Sequence, residues 1–104
     1  MTGGEAVVET LIANDVKLVT GLIGSSTLEI LDGLYNNSDK VRYIGCRHES
    51  NGMIMMDAYA RYTGKNGVFL SGQAGPGVSN TVTAMAQAKA AFSPVVNLAG
   101  AIAS

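Results

Sequence analysis

The sequence predicts an α/β fold, a parallel sheet with helices on both faces, and three observations carry that prediction. Short β-branched or apolar runs alternate with stretches of helical length and spacing. Glycine-rich or chemically unusual residues follow directly after three of those runs. Strands that alternate with helices of about ten to fifteen residues form right-handed βαβ units, and the helices then cover the sheet from both sides.

Each element has its own local reason. Thr2-Gly3-Gly4-Glu5 fits a capping box, and Ala6, Val7, Leu11 and Ile12 supply a helical stripe that ends near Asn14. Lys17 to Leu22 is short and β-branched, a first strand. Ser26-Thr27-Leu28-Glu29 reads as a second capping box, opening a helix with Leu28, Leu31, Leu34 and Tyr35 on one face. Asn36-Asn37-Ser38-Asp39 breaks it, and Val41 to Cys46 is a second strand. Glu49 to Thr63 has helical length, and Gly64-Lys65-Asn66-Gly67 is a turn. Val68 to Ser71 reads as a buried strand, Val78 to Phe92 as one helix after a glycine-rich loop, and Val95 to Ala99 as the last strand. No repeat or linker divides residues 1–104, which make one domain at most.

Composition narrows the function classes. Hydrophobic residues make up 47% and charged residues 14%, with thirteen glycines, too apolar for disorder and too broken for a membrane span. A net charge of −1, with no basic patch interleaved with aromatics, argues against nucleic acid. The start lacks the basic flank and apolar core of a secretory signal, and the single Cys46 has no internal disulfide partner, so the expected compartment is the cytoplasm. All eight acidic residues lie at or before Asp57, and beyond it only Arg61, Lys65 and Lys89 are charged. Such an apolar second half calls for covering, by an oligomeric interface or by further chain beyond Ser104.

Ligands in parallel sheets sit at the carboxyl ends of the strands. Three loops fall there: Gly21-Leu22-Ile23-Gly24-Ser25-Ser26, Arg47-His48-Glu49, and Gly72-Gln73-Ala74-Gly75-Pro76-Gly77. Glu49 is the carboxylate among them. Taken alone it is an acid at a helix start, where the helix dipole favours it. His48 reads as a structural hydrogen-bonding residue, with assistance to a proton transfer as the other option. Arg61 reads as the partner of an acid or a carbonyl. Cys46, at the end of an apolar strand, reads as packing rather than a nucleophile or metal ligand. Met53, Met55, Met56 and Met85 read as filling a core or an interface.

The three loops, in this order, resemble the pyrimidine-binding domain of thiamine diphosphate dependent enzymes, the family of acetolactate synthase and related 2-keto acid decarboxylases. The carriers are Gly21-Leu22-Ile23-Gly24, Arg47-His48-Glu49, Asp57-Ala58-Tyr59-Ala60-Arg61 and Gly75-Pro76-Gly77-Val78-Ser79-Asn80. The resemblance implies a thiamine diphosphate-binding fold, present in part. It implies that Glu49 is catalytic, hydrogen-bonding the N1′ nitrogen of the cofactor's aminopyrimidine, whose 4′ nitrogen then removes the C2 proton of the thiazolium. It further implies that Gly24, Pro76 and Asn80 lie against that aminopyrimidine. Carboligation or decarboxylation of a small 2-keto acid is the implied activity.

Departures from the pattern are Ile23 for a proline, Ala58 for a glycine, and Gln73-Ala74 for a Thr-Ser or similar pair. Ile23 with Gly24-Ser25, and Gln73 before the glycine loop, look somewhat like the sulfoacetaldehyde acetyltransferase branch, whereas the rest reads closer to acetolactate synthase. Family members hold the diphosphate and its Mg²⁺ on a second domain carrying Gly-Asp-Gly, a motif this sequence lacks. Residues 1–104 therefore read as a single, incomplete pyrimidine-binding domain with no metal ligands of its own. It is expected to work as a homo-oligomer or with a diphosphate-binding partner domain or subunit. One alternative is a non-catalytic remnant that oligomerises through its apolar half. Another is a dinucleotide-binding domain with Gly75-x-Gly77-x-x-Asn80 as its fingerprint, although no acid follows Asp57 to take a ribose hydroxyl.

Overall fold

A computed structural model describes residues 1–102. Thr2 caps the first helix as its sequence requires. Glu5 N–H donates to the Thr2 hydroxyl at 3.1 Å, and Thr2 N–H donates to the Glu5 carboxylate at 2.7 Å. That helix, α1, runs Gly3–Ala13 and is followed by β1 (Leu18–Leu22), a 3₁₀ turn (Ser25–Thr27) and α2 (Leu28–Asn36). Then come β2 (Arg42–Gly45), α3 (Glu49–Thr63), β3 (Gly67–Ser71), two short helices α4 (Pro76–Ser79) and α5 (Val82–Ala90), and β4 (Val95–Ala99). The strands form one all-parallel sheet in the order β2-β1-β3-β4.

Alternation along the strands divides the core into two layers. Val19, Val68 and Leu70 face α1 and α2, where they pack with Val8, Val16, Leu34 and Val41. Phe69 faces the other way, beneath Met53 and Met56 of α3 and Ala84 of α5. β3 is buried over its whole length, which is why it reads as an unbroken apolar run rather than an alternating one. The α/β architecture with helices on both faces is therefore present. No described helix is long and apolar enough to cross a membrane.

Three local expectations are corrected. The second capping box does not form: neither the 3₁₀ turn nor α2 has a side-chain cap, and the Ser26 hydroxyl instead accepts the Ala74 N–H at 3.4 Å. The apolar stripe of α2 is rotated, with Leu28 and Tyr35 exposed and Gly33 and Leu34 buried. Close packing against α1 turns the helix this way: a Cβ on Gly33 would lie 2.9 Å from Val8 Cγ2. The single helix expected over Val78 to Phe92 is two, interrupted at Asn80 and Thr81, and the second stops at Ala90. Phe92 has a left-handed φ of 54°, so the chain has already left the helix there.

Helices α1 and α2 meet backbone to backbone at Gly4, where a Cβ would come 2.3 Å from the Glu29 carbonyl carbon. Gly3 has nothing within 4 Å of the same position. Gly4→Ala should therefore destabilise the chain by about 1–3 kcal/mol through overpacking. Gly3→Ala should leave it within about 0.5 kcal/mol of wild type. Urea unfolding midpoints of the two variants check this, and equal midpoints would contradict the contact.

Candidate functional site

The depth of Glu49 follows from how α3 sits on the sheet. Thr20, fully buried in β1, donates its hydroxyl to the Gly52 carbonyl at 3.0 Å. A Cβ on Gly52 would stand 2.4 Å from Phe69 Cε2 and 2.7 Å from Cys46 Sγ, so only glycine lets the first turns of α3 lie this low. Glu49 opens the helix and is 6% exposed, while Arg47 and His48 just before it are exposed. His48 is the N-cap: its Nδ1 accepts the Ser50 N–H at 3.1 Å. That gives His48 the structural role expected of it.

The loop after β3 brings a partner to Glu49. Gly75 adopts φ 80°, a left-handed turn that glycine accepts without strain, and Pro76 then starts α4. α4 lasts one turn, and at its end side-chain hydroxyls bond the Val78 and Asn80 carbonyls. The Thr81 hydroxyl donates to Val78 O at 2.6 Å, and the Ser50 hydroxyl of α3 donates to Asn80 O. Asn97 Nδ2 donates to Thr81 Oγ1 at 2.9 Å, and Ser71 Oγ donates to Asn97 Oδ1 at 2.8 Å, tying the break to β3 and β4. With its carbonyl held, Asn80 directs Nδ2 onto Glu49 Oε2 at 3.0 Å. Among the described residues Glu49 forms no ion pair. Its Oε1 borders Gly77, where a Cβ would approach it to 3.3 Å.

Gly24 and Gly72 lock the first and third loops together. A Cβ on Gly24 would fall 2.1 Å from the Gly72 carbonyl, and one on Gly72 would fall 1.9 Å from Leu22 O. Ser25 Oγ donates to Gln73 Oε1 at 3.4 Å across the same seam. Glu49, Gly77, Asn80 and Gln73 thus share one small neighbourhood, and Gly24 reaches it through its contact with the Gly72–Gln73 backbone. Pro76 is exposed at the start of α4.

Ser50, Gly52 and Thr20 were not singled out from the sequence, although all three place Glu49 or Asn80. The signal that existed was Asn97, a lone amide inside an apolar strand. Of the remaining candidates, Arg61 pairs with the buried Asp57 at 2.8 Å, and the other Asp57 oxygen accepts from Ser93 Oγ. Met53 and Met56 are core, while Met55 and Met85 are partly exposed.

Cys46 packs against Gly52 and donates its thiol to Gly21 O at 3.1 Å. Burial pushes this thiol above its ordinary range, and backbone hydrogen bonds at His48 and Gly52 only partly offset that. Less thiolate is then present at any pH near 8 than for a free cysteine. Alkylation by iodoacetamide should be slower than that of a free cysteine at pH 8 and should accelerate only at higher pH. Alkylation as fast as that of free cysteine at pH 8 would contradict this placement.

The sequence matches, over residues 1–104, the family described as thiamine pyrophosphate enzyme, N-terminal TPP binding domain. It is 44% identical over 96 residues to the sulfoacetaldehyde acetyltransferase of Alcaligenes xylosoxydans xylosoxydans, covering 92% of this chain and 15% of that protein. It is 41% identical to the catabolic acetolactate synthase of Raoultella terrigena, covering 96% of this chain and 17% of that protein. It is also 42% identical to the 2-hydroxyacyl-CoA lyase 2 of Xenopus laevis, covering 97% of this chain and 15% of that protein. The chain spans less than a fifth of the length of these relatives. With the parallel sheet and the loops at its carboxyl edge, this match over the whole chain places it in the family of thiamine pyrophosphate enzymes, as their N-terminal TPP binding domain.

Proposed function

We propose that this chain supplies the pyrimidine side of a thiamine diphosphate site, with Glu49 as its catalytic residue, in an enzyme that acts on 2-keto acids by carboligation or decarboxylation. The observation that carries the reading is the state of the Glu49 carboxylate. One oxygen, Oε2, is held by Asn80 at 3.0 Å, and the other, Oε1, borders a glycine at which any side chain would fill the approach. A buried carboxylate needs a hydrogen-bonded partner. The open approach to Oε1 suits an N–H of a flat heteroaromatic ring, so the residues fit the cofactor's aminopyrimidine.

Each residue then has a defined task. Glu49 Oε1 holds or exchanges a proton at the N1′ position, and Asn80 keeps the carboxylate from rotating away. Gly77 leaves room for the ring, Gly24 shapes that space through its contact with Gly72, and Pro76 borders it at the start of α4. Thiamine diphosphate, when bound, supplies a carbon nucleophile for the substrate carbonyl. Its diphosphate and Mg²⁺ belong on a second domain carrying Gly-Asp-Gly, from the same assembly or from a partner subunit. The names of two relatives, a sulfoacetaldehyde acetyltransferase and an acetolactate synthase, support a small acyl donor or acceptor as substrate.

A second reading, a non-catalytic domain that oligomerises through its apolar half, is favoured by exposed Ile54, Val82 and Met85 on α3 and α5. It predicts no cofactor binding. In the assembly of this chain with the diphosphate-binding domain, Glu49→Gln should slow exchange of the cofactor C2 proton by about a hundredfold or more. Gly77→Ala should keep the fold and weaken thiamine diphosphate binding. An exchange rate unchanged by Glu49→Gln would sink the assignment.

A further inference from the structure

We propose that Gln73 determines substrate specificity: its carboxamide N–H groups, beside Glu49 across Gly77 and oriented by Ser25, receive an anionic oxygen of the substrate, a carboxylate or a sulfonate. This rests on the functional reading above and adds to it a residue and a ligand chemistry. A Cβ on Gly77 would stand 3.2 Å from Gln73 Cβ and 3.3 Å from Glu49 Oε1, so both side chains border one small volume. Gln73 is exposed and Glu49 is buried, which sets the amide on the solvent side of the carboxylate.

Ser25 Oγ donates to Gln73 Oε1 at 3.4 Å, which turns the carbonyl end of the amide toward the loop after β1. The N–H donors then have no partner among the described residues. The backbone beneath is fixed, since Gln73 N lies 2.5 Å from where a Gly24 Cβ would be. Glu49 is the only acid in the three loops, and its Oε2 already accepts from Asn80. The other charged residue there is the exposed Arg47. A hydrogen bond to a charged oxygen is roughly twice as strong as one to a neutral oxygen, so a donor amide at this position discriminates by charge.

The test compares charged substrates with uncharged ligands that keep the same carbonyl, in the holoenzyme, this chain together with the diphosphate-binding domain. Gln73→Ala should lower kcat/KM about tenfold or more for pyruvate or for sulfoacetaldehyde. Methyl pyruvate and acetaldehyde carry no group that can leave and serve as uncharged ligands: their Kd values should stay within about twofold, and the thiamine diphosphate Kd should not move. Gln73→Glu should be worse than Gln73→Ala for the anion only. Whichever anion is lost identifies the source, carboxylate or sulfonate. An equal loss of affinity for the uncharged ligands, or no loss for either anion, would overturn the proposal. Failure of the wild type to bind thiamine diphosphate would instead defeat the functional reading. The subsite is then judged on the same assembly without cofactor, by titrating the ¹⁵N side-chain amide of Gln73 with pyruvate and with methanesulfonate. A saturable shift that Ser25→Ala weakens supports it, and no shift with either anion overturns it.

Discussion

A carboxylate that is 6% exposed and has no basic partner among the described residues is the constraint around which this edge of the sheet is arranged. Burying Glu49 without a donor would leave a desolvated acid, and the Asn80 amide at 3.0 Å is what prevents that. Meeting the constraint dictates structure on both sides. On one side α3 must lie low on the sheet, which Gly52 permits and the Thr20 hydroxyl secures. On the other side Asn80, between the two short helices that follow β3, turns its carboxamide onto Glu49.

The interruption shows how a polar network can override local propensity. The Ser50 and Thr81 hydroxyls take the Asn80 and Val78 carbonyls, and Asn97 and Ser71 anchor Thr81 to the sheet. Asn97 would be a liability in an apolar strand if its amide were unpaired. Here both ends of that amide are satisfied, and the strand that carries it serves the site one layer away.

The alternation of strands and helices was legible because each element has local chemistry: β-branched runs, a capping box at Thr2, a glycine stop at Gly64. The extent of α3, Glu49–Thr63, was legible for the same reason. What was not legible depends on contacts between distant residues. The Ser26 box failed because Ala74, far along the chain, takes its hydroxyl. The stripe of α2 turned because Val8 packs at Gly33. The split of the last helix depends on Ser50 and Asn97, neither of which is within helical reach in sequence. In the site, Glu49 stood out as the acid at a strand mouth, and Asn80 stood out through the motif. The closeness of Gly77 to Glu49 Oε1, 3.3 Å from where a Cβ would stand, is a matter of spacing in three dimensions that no one-dimensional pattern encodes.

Gly24 illustrates the limit of reading a motif residue by residue. Its lack of a side chain is required by the Gly72 backbone 2.1 Å from its Cβ position, so it shapes the site by locking two loops together. In the proposed site, Glu49 Oε1 meets the N1′ nitrogen of the cofactor. This contact is tested most directly by the ¹⁵N chemical shift of thiamine diphosphate labelled at N1′ and bound to the assembly of this chain with the diphosphate-binding domain. The expected shift is that of a nitrogen hydrogen-bonded to or sharing a proton with a carboxylate, with a large change in that shift on Glu49→Gln. A bound N1′ resonance identical in wild type and variant would contradict it.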